Sequence, residues 1–215
     1  SDIASTAHAS DFVYNTTHDK LGCWTTAYSR KFYEDNGFFL KKGGLEICRK
    51  GDDARWEELK RKVGSGKAFG TNVRLISASE AKEKFPLLDE ESLMGAMWDP
   101  DAGLVIPRSQ DVVSFAVESA KDKGALKTFT DTPAIDFEVE NGRVTGVKTD
   151  KGFIKTDKVV ICSGIWGPLM GKKAGVPVPL MPLEHPLLFF GPLPEAQGAE
   201  DFLVYPLLRD QGNSA

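Results

Sequence analysis

The chain of 215 residues is short of histidine and cysteine. Its three histidines, His8, His18 and His185, include no two at ligand spacing, so no metal site is expected. Cys23, Cys48 and Cys162 are an odd number, widely spaced and without a CxxC pair. They form no disulfide framework, and a reducing compartment is expected. Basic residues are not in excess: 27 Lys plus Arg face 31 Asp plus Glu, a formal charge of −4, which argues against a nucleic-acid partner. No apolar run approaches the roughly 20 residues of a membrane span. The richest, from Val159 to Trp166, is short and interrupted by Ser163 and Gly164. The first residues carry neither a basic nor an apolar leader pattern. No GxGxxG occurs; Gly64-Ser65-Gly66 follows a charged helical stretch rather than a strand, outside the context that motif needs.

What is present is ordinary globular material, 41% hydrophobic and 27% charged, enough for one large or two small domains. Leu21, Trp24, Tyr28 and Phe32 recur at helical steps, predicting a helix over 20–35 that Gly37 ends. A hairpin is predicted from Phe38 to Ile47, turning at Lys41-Lys42-Gly43-Gly44. An amphipathic helix follows over 53–69, with Trp56, Leu59, Val63 and Phe69 on its apolar side and the Glu57–Lys62 charges in solvent. Val73–Ile76 reads as a strand, and Ser77-Ala78-Ser79-Glu80 as a capping box opening a helix that stops before Pro86. Leu93–Trp98 reads as a strand, the Asp99–Gly103 stretch as a loop, and 107–123 as a helix with Pro107 in its first turn. Asn141-Gly142 between two alternating runs, 134–139 and 143–149, is a strong hairpin signal, followed by a strand at 153–155. Val159–Cys162 reads as a strand buried on both faces, and Trp166–Ala174 as a short helix. Phe202–Leu208 is the last strand expected.

The strand, turn and helix over 158–174 form a nucleotide-friendly unit, because a helix N-terminus offers free N–H groups. In α/β proteins such a unit is also common scaffold. His8 lies among Ser5, Thr6, Ala7, Ala9 and Ser10, small neighbours that allow close approach to a ligand; a solvated loop histidine is the plainer reading. His185 sits between apolar runs, where it could serve as an acid–base group or simply fill a structural place. Trp24 and Trp56 are expected in the core, Trp98 in the core or against a pocket, and Cys162 as a buried small hydrophobe.

Taken in order, Ser5-Thr6-Ala7-His8-Ala9, Gly43-Gly44-Leu45-Glu46, Asp101-Ala102-Gly103, Gly142-Arg143-Val144-Thr145-Gly146-Val147, the Val159–Gly167 stretch and Pro182-Leu183-Glu184-His185 form a set. This set resembles the dimethylglycine oxidase, dimethylglycine dehydrogenase and sarcosine dehydrogenase group of D-amino-acid-oxidase-like flavoproteins. The resemblance implies an α/β fold: part of an FAD-binding domain of the glutathione-reductase kind, interleaved with a substrate domain on a mixed sheet. The flavin part is expected at 1–36 and 101–176, the substrate part at 37–100 and 177–215. It also implies a fragment, because in the group a βαβ unit with GxGxxG precedes the Ser-Thr-x-His stretch.

Residue roles follow from the same resemblance. His8 matches the histidine that carries FAD covalently through the flavin 8α-methyl carbon, and Thr6 and Ala7 match the stretch running along the flavin. Ala134 and Ile135 match a strand whose backbone meets the adenine; Ser163, Gly164 and Trp166 match a turn that approaches the cofactor. His185 matches a histidine beside the flavin that orients the amino acid and helps hold its amine neutral. Pro186 departs from the group, which more often has a polar or aromatic residue there.

The activity implied is oxidative demethylation of an N-methyl amino acid such as dimethylglycine or sarcosine, with the one-carbon unit released as formaldehyde or passed to tetrahydrofolate by a later region. The fragment alone is expected to be inactive. Alternatives are a related flavoenzyme acting on a D-amino acid, a cyclic imino acid or glycerol 3-phosphate, and a non-catalytic interaction module descended from one. Expected surroundings are the cytoplasm, or the mitochondrial matrix in a eukaryote, with no membrane partner. Self-association through an uncovered sheet edge is also expected.

Overall fold

Asp19, itself in an extended conformation, accepts a hydrogen bond from the Gly22 N–H, which starts helix α1 at Lys20–Asp35. The computed structural model describes residues 5–15, 19–183 and 205–211. Before α1 come a single 3₁₀ turn, Ser5–His8, and the short strand β1, Phe12–Val13. After it the chain forms β2 (Phe39–Lys41), β3 (Gly44–Arg49), α2 (Asp53–Ala68), β4 (Arg74–Ile76) and α3 (Ala78–Lys84). Next come β5 (Leu93–Asp99), β6 (Gly103–Val105), α4 (Ser109–Asp122), β7 (Ala134–Glu140), β8 (Arg143–Thr149) and β9 (Gly152–Lys155). A 3₁₀ turn, Gly164–Trp166, leads into α5 (Gly167–Lys173), and β10 (Leu207–Asp210) is the last described strand. The contacts divide the chain into two units, Ser1–Ala120 with Phe190–Ala215, and Lys121–Phe189.

The first unit is organised by a four-stranded mixed sheet in the order β10-β3-β5-β4, in which β10 runs parallel to β3 and the other pairs are antiparallel. Both faces are covered. Leu45, Ile47, Ile76 and Ala96 pack with Ala81 of α3, Leu88 and Leu93 on one side. On the other, Cys48, Val73 and Met97 pack with Leu59 and Val63 of α2. Alternation along β3 and β5 sends neighbours to opposite cores. A smaller antiparallel sheet, β1-β6-β2, lies in the same unit.

Four expectations are corrected in this unit. The predicted hairpin does not form: β2 pairs with β6, and β3 pairs with β5 and β10. Gly43, at φ 75°, turns the chain from one sheet to the other, and its N–H donates to the Ala102 carbonyl. A Cβ there would strike the Trp98 ring, so only glycine fits this passage. Lys62 is not in solvent but buried, its ammonium 2.6 Å from Glu46 Oε1 on β3. Trp24 is 60% exposed, stacked on Tyr28 along the outer face of α1, and only Cys23 of that helix is buried. Pro107 precedes α4 instead of entering it, and the Ser109 N–H at the helix start is held by Asp11 Oδ1 at 3.0 Å.

The second unit carries the antiparallel meander β7-β8-β9. Asn141 and Gly142 both have positive φ, 51° and 75°, the two-residue hairpin turn that their sequence foretells. Val159–Cys162 is not a strand, and Val160 is 83% exposed; Cys162 is exposed too. An apolar run becomes a strand only when another strand completes its hydrogen bonds, and no described strand pairs with it. The mixture of helices with several sheets agrees with the expected α/β class. Of the expected strand at 202–208, residues 202–204 lie outside the described part, and β10 begins at Leu207.

Candidate cofactor site

Thr6, Ala7 and His8 form the 3₁₀ turn of the first unit, with Thr6 and His8 exposed. Arg108 reaches this turn from a hundred residues away. Its Nη2 donates to the carbonyls of Ala7 and Ala9, 3.4 Å each, bracing the backbone on both sides of His8. Arg108 Nε is itself held by Asp11 Oδ2 at 2.7 Å, and Asp11, nearly buried and at φ 61°, also accepts from Ser109. The imidazole is left facing outward on a turn fixed at both shoulders. Neither Asp11 nor Arg108 was legible as a site residue, because the contact joins segments far apart in the chain and neither belongs to a recognisable local motif.

Beyond the turn, Asn15 is buried and its backbone N–H donates to Asp99 Oδ2 at 2.8 Å. Burial pushes the Asp99 carboxyl up, and hydrogen bonds from Asn15 and the Asp101 N–H offset this in part. Burial also acts on Asp101, but hydrogen bonds from Lys41 and Asn72 outweigh it and hold its carboxyl below the usual range. Tyr14 donates to the Leu45 carbonyl, and burial raises its phenol strongly. These contacts pin the segment that follows His8 onto the main sheet.

In the second unit Ala134 and Ile135 open β7, an outer strand of its sheet among the described residues, and both are exposed. Ala134 pairs with Thr149 and Asp136 with Lys148, so Ile135 is an extra residue in the ladder. A strand end of this kind presents backbone N–H and C=O groups outward. Nearby, Ala134, Phe137, Val147, the residues 159–163 and Met170 line an apolar pocket of about 260 Å³. That is below the roughly 300–1,000 Å³ of a pocket that buries a drug-sized ligand, and it suits a smaller group or one end of a longer molecule. Ser163 Oγ is buried without a hydrogen-bond partner and belongs to the same lining. Gly164, at φ 53°, turns the chain into the short helix, and Trp166 is exposed.

The structure thus gathers Ala134 and Ser163 around one pocket and Thr6, Ala7 and His8 on one turn, each within its own unit. His185 and Pro186 lie outside the described residues. Among the described residues no cluster of three or more His, Cys, Asp or Glu is arranged to hold a metal, and no helix is long and apolar enough to cross a membrane.

Residues 5–214 match the FAD dependent oxidoreductase family, and the chain belongs to that family. It is similar to human mitochondrial sarcosine dehydrogenase, 32% identical over 170 residues, covering 73% of this chain and 17% of that protein. Mouse mitochondrial dimethylglycine dehydrogenase is 26% identical over 172 residues, 80% of this chain and 19% of that protein. Among solved structures, L-proline dehydrogenase from P. horikoshii superposes with a TM-score of 0.71 at 31% identity, covering 80% of this chain and 46% of that one. The chain therefore spans under a fifth of the length of those two curated relatives and about half of that solved chain.

Proposed function

We propose that this chain is part of an FAD-dependent oxidoreductase that oxidatively demethylates a small N-methyl amino acid such as sarcosine or dimethylglycine. The observation that carries the reading is the His8 turn: an outward imidazole on a backbone braced by Arg108, within a chain similar to enzymes named for those two substrates. FAD, when bound, supplies the two-electron acceptor for the N-methyl group. His8 would hold it through a bond from an imidazole nitrogen to the 8α-methyl carbon, with that carbon and the imidazole each giving up a proton and the flavin ring itself taking the electron pair. A neutral imidazole is a competent nucleophile, and His8 has no hydrogen bond to another described residue that would occupy its nitrogens.

Thr6 and Ala7 would run beside the flavin. Ala134 and Ile135 would meet the adenine through backbone groups, and the unpartnered Ser163 hydroxyl, with Gly164 and Trp166, would contact the cofactor from the turn. His185 would orient the substrate and keep its amine unprotonated, since an ammonium has no lone pair to assist loss of hydride. In this reading residues 1–36 and 101–176 contribute to the flavin domain and 37–100 and 177–215 to the substrate domain. Transfer of the one-carbon unit to tetrahydrofolate would need residues outside this chain.

A second reading keeps the family and changes the substrate to a cyclic imino acid, favoured by the similarity to L-proline dehydrogenase. Anaerobic mixing of the flavin-loaded, full-length protein with each candidate separates the two. Sarcosine or dimethylglycine should bleach the flavin absorbance faster than L-proline. Bleaching by L-proline alone transfers the case to the second reading, and no bleaching by any of them contradicts both.

A further inference from the structure

A second concavity, in the first unit, is lined by Asn15, Cys23, Trp24, Arg30, Phe69 and Thr71, with Lys20 and Asp101 at its margin, and has a volume of about 200 Å³. It gathers unsatisfied polarity. Of the five buried side-chain atoms left without a hydrogen-bond partner among the described residues, three line it: Asn15 Oδ1, Thr71 Oγ1 and Arg30 Nε. Arg30 Nε keeps an ion contact with Glu34 at 3.4 Å, and Arg30 Nη1 donates to the Asp101 carbonyl. Asn15 and Thr71 have no such substitute for their free oxygens.

Asn15 is only 4% exposed, and its amide orientation is settled by its neighbour. The Nδ2 group lies 3.4 Å from Asp99 Oδ1, a carboxylate that accepts and cannot donate when ionised. The amide oxygen therefore remains as an acceptor lining the pocket. Buried polar atoms are nearly always paired, so two orphans in one cavity mark a place where a ligand or water completes the set.

The chemistry of the lining defines what fits. Asn15 Oδ1 needs an O–H or N–H donor, and Thr71 Oγ1 can give or take. Lys20 and Arg30 supply positive charge, while the Asp101 carboxylate is already engaged by Lys41 and Asn72. Trp24 and Phe69, both partly exposed, offer ring faces to an apolar body. We infer that this pocket binds a small organic carboxylate that carries a hydroxyl or amine donor beside the acid and a flat apolar group. The inference does not rest on the flavin reading, since every residue it uses lies outside the proposed cofactor contacts.

Mandelate, an aromatic 2-hydroxy acid, is the probe, titrated calorimetrically into the full-length protein. Saturable one-to-one binding is expected, with phenylacetate, which lacks the hydroxyl, about fivefold weaker, the worth of about one hydrogen bond. Thr71→Val should bring mandelate toward the phenylacetate affinity. It should leave thermal unfolding unchanged, because the lost hydroxyl has no protein partner. Lys20→Gln should weaken both acids. Absence of saturable binding, equal affinity for the two acids, or binding indifferent to both substitutions would overturn the proposal and leave water as the occupant.

Discussion

The two units of the chain bury their apolar residues very differently. In the first, the sheet β10-β3-β5-β4 is covered on both faces, and Leu45, Leu59 and Met97 are wholly enclosed. In the second, Phe137 is the one buried large hydrophobic among the described residues, while Val160, Ile165, Trp166 and Leu169 face outward. Both carry apolar runs of similar strength. The difference lies in what each run finds to pack against: β3 has strands on two sides and helices on two faces, whereas 159–162 has a pocket wall and no strand partner. Apolar sequence states a requirement for burial, and the surrounding elements decide whether it is met.

That contrast can be broken deliberately. The largest expected effect is at the buried ion pair of the first unit. Lys62→Met leaves the carboxylate of Glu46 buried with only Arg55, 3.8 Å away, to compensate it. Chemical denaturation should show a loss of about 3–5 kcal/mol, and Glu46→Leu added to Lys62→Met should recover much of it. Leu59→Ala, which opens a cavity beneath α2, should cost about 2–5 kcal/mol in the same assay.

Smaller effects come from two carboxylates at the end of β5 and just beyond it, Asp99 and Asp101. Asp101 is held below its ordinary value of 3.8, so its contribution to stability is present above that value and is lost as pH falls through the depressed one. Asp99 is raised above 3.8, so its contribution is present below that value and is lost as pH rises through the raised one. Urea titrations across the acid range should therefore show Asp101→Asn flattening the loss of stability toward low pH. Asp99→Asn should remove a component that declines with rising pH. The smallest effect is in the second unit: Val160→Ala should change stability by no more than about 0.5 kcal/mol. A loss comparable to Leu59→Ala would show that the exposed run is packed in the protein and would erase the contrast.

Legibility in the sequence divided along a different line, between local signals and distant contacts. Elements with local signals were readable: α1 from the helical spacing of Leu21, Trp24, Tyr28 and Phe32, the Ser77 capping box of α3, and the Asn141-Gly142 turn. What was not readable depended on distant partners. The exchange of β2 and β3 into different sheets rests on the fit of Gly43 to Trp98, the buried Lys62 on Glu46 sixteen residues earlier, and the brace on His8 on Arg108. Of the candidate site, the His8 turn and the 163–166 turn stood out as small-residue motifs, whereas Asp11 and Arg108 became visible only through contacts that no local spacing encodes.

The central claim is that His8 anchors a flavin, and it can be tested directly. The full-length protein, loaded with FAD, is precipitated in acid, digested, and its peptides weighed. The account predicts that the peptide containing His8 carries the added mass of the flavin and that His8→Ala abolishes it. Flavin released entirely into the supernatant, or carried on a different peptide, would contradict it.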